Sequence, residues 1–98
     1  MRRGEVWRYV PRGSPREQIV VIVSSDGLNE STRSWLLAAP VLGEDPQDIL
    51  AVPVPGQGWV SAGNLARYYR GWFAEHLGAL DPSTVHDLES ALRAALDL

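Results

Sequence analysis

The sequence predicts a mainly β domain with one C-terminal α-helix, the strands curving into a small antiparallel barrel. Short runs of β-branched and aromatic residues recur along the chain, Gly, Pro and Asp punctuate them, and a 3.6-residue apolar period is confined to the end.

The first strand runs through Glu5-Val6-Trp7-Arg8-Tyr9-Val10, where Val6, Arg8 and Val10 alternate with Trp7 and Tyr9. Pro11 to Glu17 forms a polar turn. Ile19 to Val23 is an unbroken β-branched run, which predicts a strand buried on both faces. It ends at Ser24-Ser25-Asp26-Gly27-Leu28-Asn29, where Asp-Gly marks a turn. After a polar connector, Glu30 to Arg33, a third strand covers Ser34 to Leu42. Pro40 lacks a backbone donor, so this strand is expected to fray or lie at an edge there.

Gly43 to Asp48 is a loop whose three carboxylates keep a hairpin tip soluble. Ile49 to Val54 is a fourth strand with Leu50, Val52 and Val54 on one face, and Pro53 and Pro55 place it at an edge. Gly56-Gln57-Gly58 turns the chain into a short returning strand, Trp59 to Asn64. The period of Leu65 to Phe73 is ambiguous: Tyr69 and Phe73 fit helical spacing, whereas Tyr68, Arg70 and Trp72 alternate. In the closing helix Asp81 is the N-cap, Pro82 the first helical residue, and Val85, Leu88, Leu92 and Ala95 the apolar stripe. His86, Asp87, Ser90 and Arg93 point away from it.

Ninety-eight residues with 45% hydrophobic content suit one domain, residues 1–98. No stretch reaches the length of a membrane span and the first twenty residues lack the apolar segment of a secretory signal, so a cytoplasmic protein without a membrane role is expected. The absence of cysteine excludes disulfides, thiolate chemistry and cysteine-ligated zinc. His76 and His86 lie ten positions apart with no acidic pattern that suggests a metal site. A net charge of −3 argues against a general nucleic-acid coat, yet Arg2, Arg3, Arg8, Arg12 and Arg16 crowd the first sixteen residues against a lone Glu5. All nine basic residues are arginine, the side chain suited to bidentate phosphate contacts.

The Gly4-Glu5-Val6-Trp7 strand, a Gly-Ser loop with arginines, the Val/Ile-rich strand and Ser24-Ser25-Asp26-Gly27-Leu28-Asn29 together resemble the start of a MazF/PemK-type toxin. His76 to Pro82 leading into Leu88 to Leu96 is similar to that family's closing helix. The resemblance implies an SH3-like, MazF/CcdB-like barrel that pairs as a homodimer, with the last strand through Arg67 to Trp72. It also implies the toxin of a type II toxin–antitoxin pair, a sequence-preferring endoribonuclease that cleaves single-stranded mRNA without a cofactor. The partner would be a cognate antitoxin with an acidic, disordered tail.

In that family an arginine just before the Val-rich strand and a threonine or serine after the third strand carry the chemistry. Here the first position is Gln18 and the second falls on Val41 or Leu42, so Arg16 or Arg12 would have to supply the charge. The resemblance therefore gives Arg16, Arg12 and Gln18 as candidate catalytic residues, and Ser14, Ser24, Ser25, Asp26, Asn64 and Arg67 as candidate RNA contacts. Read locally, Ser24 to Asp26 terminate a strand and Asn64 caps a turn. Trp35, Trp59 and Trp72 serve either as base-stacking platforms or as core and interface. The altered pair also fits a toxin of the same fold that binds DNA gyrase, or a degenerate member acting by binding alone.

Overall fold

The computed structural model describes residues 1–14 and 16–97. Pro15, part of the expected first turn, and Leu98 lie outside them. Strands β1 (Glu5–Tyr9), β2 (Gln18–Ile22), β3 (Trp35–Leu42), β4 (Ala51–Val54), β5 (Gly58–Ser61), β6 (Ala66–Tyr69) and β7 (Phe73–Ala79) form one curved sheet. Two helices accompany them, the single turn α1 (Asp26–Asn29) and the closing α2 (Pro82–Leu96). The sheet order is β4-β5-β3-β2-β1-β7, all neighbours being antiparallel, and β6 pairs with β3 beside that path.

The β-branched run of β2 is central because both of its faces are covered. Val21 and Val23 point into one core with Val6, Ala39, Val60, Leu88 and Leu92. Val20 and Ile22 point into a second core with Tyr9, Leu36 and Ala38, bordered by Trp7, Tyr68, Trp72 and Phe73. Alternation therefore splits the strand between two apolar layers.

Pro40 does not sit at an edge, as its missing donor suggested. Strand β3 pairs with β2 on one side, and with β6 over Trp35–Ala38 and β5 over Val41–Leu42 on the other. The Leu37 carbonyl accepts from Val23 on the β2 side, so alternation turns Pro40 to the opposite side. There it falls in the gap where β3 passes from β6 to β5, and no ladder bond is lost. The prolines of the fourth strand do mark an edge, since β4 pairs only with β5. Gly58 allows that hairpin to close on β3. Its φ is +122°, and an added Cβ would lie 2.1 Å from the Leu42 carbonyl oxygen.

The segment read as one last strand through Arg67 to Trp72 is two pieces, β6 and a 3-10 turn at Arg70–Trp72, and a further strand, β7, follows it. Val10 N–H donates to Trp72 O at 3.0 Å, and Tyr69 N–H to the Tyr9 hydroxyl at 3.0 Å. These two bonds tie the turn to the end of β1. The Asp26-Gly27 turn signal is a short helix, capped by Ser25 Oγ accepting from Leu28 N–H at 3.3 Å. Helix α2 begins as its sequence dictates, with Asp81 accepting from Thr84 N–H at 2.8 Å and Pro82 at the first position. Leu88 and Leu92 are buried as expected, whereas Ala95 is exposed because the stripe outruns the sheet it covers.

Candidate nucleic-acid interface

The loop between β1 and β2, the end of β6 and the following 3-10 turn bring most of the interesting side chains together. Gln18 opens β2 and is exposed, opposite Tyr9 of β1. Its Oε1 accepts from the Tyr68 hydroxyl at 3.3 Å, which leaves the two amide N–H groups of Gln18 available. The β2–β3 ladder runs from Ile22–Ala38 to Val20–Pro40, so Gln18 at the start of β2 and Val41–Leu42 at the end of β3 both lie just past its last pair. The two positions that the resemblance singles out thus carry a neutral amide and an aliphatic side chain, Val41 or Leu42.

Tyr68 gave no signal in the sequence beyond its alternation. Burial, and then the neighbouring Tyr9, hold its hydroxyl above the usual phenol range. At neutral pH it is a hydrogen-bond donor. Tyr9 packs against it edge-on, with ring centroids 4.8 Å apart, and Phe73 and Trp72 complete the aromatic floor.

The arginines divide into two groups. Arg3 pairs with Glu89 at 3.2 Å, and Arg8 with both Glu17 at 3.2 Å and Glu75 at 3.1 Å. The basic cluster of the first sixteen residues is therefore partly neutralised by carboxylates, two of them far along the chain. Arg2, Arg12 and Arg16 form no ion pair among the described residues. Arg12 borders a pocket of about 280 Å³ with Tyr69, Gly71 and Trp72. Arg16 is exposed, and its backbone N–H donates to Ser14 Oγ at 3.2 Å, so Ser14 shapes the loop that presents it.

Ser24, Ser25 and Asp26 do not form a common polar surface. Ser24 is buried, its hydroxyl bonded to the Asn29 side chain and accepting from Leu37 N–H at 3.3 Å. Its role is internal. Ser25 caps α1, and Asp26 accepts weakly from Arg3 N–H at 3.5 Å. Asn64 is exposed, but its Nδ2 donates to Ser61 Oγ at 2.7 Å, the local turn contact expected of it. Arg67 extends over Trp35, its guanidinium carbon 4.5 Å from the ring centroid, with Arg33 at 5.6 Å on the same ring. None of Trp35, Trp59 and Trp72 is fully buried.

A larger cleft of about 720 Å³ runs between the β4–β5 hairpin and the start of α2, lined by Trp59, Pro53 and Pro55 on one side and Asp81 and Asp87 on the other. The Thr84 backbone N–H, then Ser83, keep the Asp81 carboxyl below its ordinary range. The carboxylates make this cleft unfavourable to a polyanion, in contrast to the arginine loop. Among the described residues no three His, Asp or Glu side chains are grouped as metal ligands, and no helix is long and apolar enough to cross a membrane.

A two-layer barrel crossed by β3 and closed by a C-terminal helix is the fold of the MazF toxins. The chain is similar over its whole length to a mycobacterial endoribonuclease in complex with its cognate antitoxin, with a TM-score of 0.88 at 24% identity, covering 100% of this chain and 96% of that one. It is likewise similar to MazF in a MazE–MazF crystal structure from Deinococcus radiodurans, with a TM-score of 0.84, 18% identity and coverage of 100% and 96%. For the Mycobacterium tuberculosis toxin MazF-mt6 the TM-score is 0.79 at 19% identity, with 96% and 97% covered. No family model and no curated protein matches the sequence.

Proposed function

We propose that this chain is the toxin of a toxin–antitoxin pair and cleaves single-stranded RNA without a metal. The observation that carries this reading is the end-to-end overlap with an endoribonuclease held by its antitoxin, with no element of the barrel or helix left over. The side-chain chemistry is compatible with it. In such a cleavage a base removes the proton of the ribose 2′-hydroxyl, the oxygen attacks the adjacent phosphorus, and the 5′-oxygen leaves with a proton. A 2′,3′-cyclic phosphate and a 5′-hydroxyl result.

The protein must stabilise the negative charge on phosphorus and donate to the departing oxygen. Arg12 and Arg16 retain uncommitted charge for the first task, and the Gln18 amide adds neutral donors. Tyr68, kept protonated by burial, could donate once its hydroxyl exchanges its bond to Gln18 for one to the substrate. A homodimer would extend the surface, and an antitoxin with an acidic tail would compete for the same arginines.

The test is incubation with a long, weakly structured RNA in excess EDTA, followed by mapping of the ends. Discrete cuts with cyclic phosphate termini support the nuclease, and intact RNA from a folded protein overturns it. Arg16→Ala is expected to reduce cleavage about 10²-fold, the order set by removal of one charge-stabilising donor, with an unchanged unfolding curve. The neutral pair Gln18 and Leu42 favours a second reading, a toxin that acts by binding DNA gyrase. Recovery of gyrase on immobilised protein, together with no RNA turnover, would select it.

A further inference from the structure

We propose that the pocket bounded by Arg12, Tyr69, Gly71 and Trp72 is a nucleotide subsite, in which one base of an RNA strand stacks on the Tyr69 ring and Arg12 takes the adjoining phosphate. The proposal rests on RNA being the substrate, and it assigns a specificity contact that the β1–β2 loop alone does not provide.

Tyr69 is 47% exposed, and it is the one aromatic among the large exposed apolar side chains of the described residues. An exposed aromatic ring is ordinarily mobile, but here the backbone is anchored and the ring is packed on two sides. Its backbone N–H is held by the hydroxyl of Tyr9, itself buried. The ring lies directly over Gly71, where an added Cβ would come within 2.6 Å of Cε2. Trp72 packs against it with centroids 5.1 Å apart and planes inclined by 60°. The remaining side of the ring borders the pocket. A fixed platform loses little side-chain entropy when a ligand stacks on it.

The size and the charge point to the same ligand. At about 280 Å³ the space falls just below the range of about 300–1,000 Å³ typical of sites for drug-sized molecules, which suits a single heterocycle. No carboxylate lines it, in contrast to the cleft with Asp81 and Asp87. Arg12 supplies a positive group at the rim, and Trp72 adds a second aromatic surface. Base stacking on aromatic rings beside a cationic rim is the pattern of single-strand binding. Arg12 belongs to the same β1–β2 loop as Arg16, which leads into Gln18, so the subsite takes a base flanking the position of cleavage.

The experiment measures binding of 2′-O-methyl RNA heptamers, which cannot be cleaved, each with one abasic position moved along the strand. The wild-type protein is expected to lose about tenfold in affinity when one particular position is abasic. Tyr69→Ala should weaken the intact heptamer about tenfold and abolish the sensitivity at that position, Tyr69→Phe should restore both, and Gly71→Ala should blunt the profile by displacing the ring. A flat abasic profile for the wild type, or a Tyr69→Ala profile identical to it, overturns the subsite. If the wild-type protein binds with the expected profile but cuts no RNA, the nuclease reading falls and the subsite stands. If it cuts RNA but its profile is flat, the subsite falls and the nuclease reading stands. If no heptamer binds, the subsite falls.

Discussion

Ser24 shows how a residue with the chemistry of a ligand contact can be consumed by the fold. Its hydroxyl accepts from Leu37 N–H and bonds the Asn29 side chain, while Asn29 Nδ2 returns a bond to the Ser24 carbonyl at 3.0 Å. Both residues are buried, so Ser24→Ala strands two partners without water, and a loss of about 1–3 kcal/mol in urea unfolding is expected. Glu5 is held in a different way. Burial acts to raise its carboxyl, but the Trp7 indole donating at 3.0 Å, the Arg2 backbone bond and the charge of His76 outweigh it and leave the group below its ordinary range. A depressed carboxyl stabilises the folded state above its unfolded value near about 4, and that contribution disappears as the pH falls through the folded value. The urea midpoint should therefore be level above the ordinary carboxylate range and decline below it, and Glu5→Gln should flatten the acid limb.

Among the elements, α1 depends on a side chain distant in sequence. Four residues cannot sustain a helix by their own hydrogen bonds. Arg70, in the turn after β6, donates to the carbonyls of Asn29 at 2.6 Å and Leu28 at 3.2 Å, and to Arg33 at 2.9 Å. One guanidinium thereby covers the open end of α1 and the connector into β3. Arg70→Ala is expected to cost about 2 kcal/mol, with faster amide exchange confined to α1 and the start of β3. Arg70→Lys, lacking the planar fork, should recover only part of the loss.

The same elements show what the sequence discloses. The β-branched run of β2 and the capped stripe of α2 were legible because each carries its own period and termini. Strand β7 was not. Ala74 to Leu77 are all exposed, its ladder to β1 is interrupted by two register shifts, and so no alternation marks it. Pro40 read as an edge because the gap between two partner strands is a property of the sheet, invisible in its own segment. The candidate site was legible as a loop of arginines, but its division into paired and unpaired charges depends on Glu75 and Glu89, and its floor depends on Tyr68, Tyr69 and Trp72 of later elements.

At the scale of the whole molecule, that division of charge sets how RNA would be held. A chain of net charge −3 attracts a polyanion only through a local surface, and the uncommitted cations near the proposed site are Arg12, Arg16 and the pair over Trp35, Arg33 and Arg67. Each phosphate neutralised on a single strand contributes about −0.7 to the slope of log affinity against log salt concentration. Four such contacts limit the slope to about −3, shallow for a nucleic-acid-binding protein. The double variant Arg12→Ala, Arg16→Ala should reduce its magnitude by about 1.4, leaving the contribution of Arg33 and Arg67. Titrations of a non-cleavable oligonucleotide at several salt concentrations measure this directly. A wild-type slope steeper than about −4 would contradict the assignment to these four cations, since further arginines, Arg2 and Arg93 or the paired Arg3 and Arg8, would then have to reach the strand. An unchanged slope in the double variant would move the phosphate path off the β1–β2 loop.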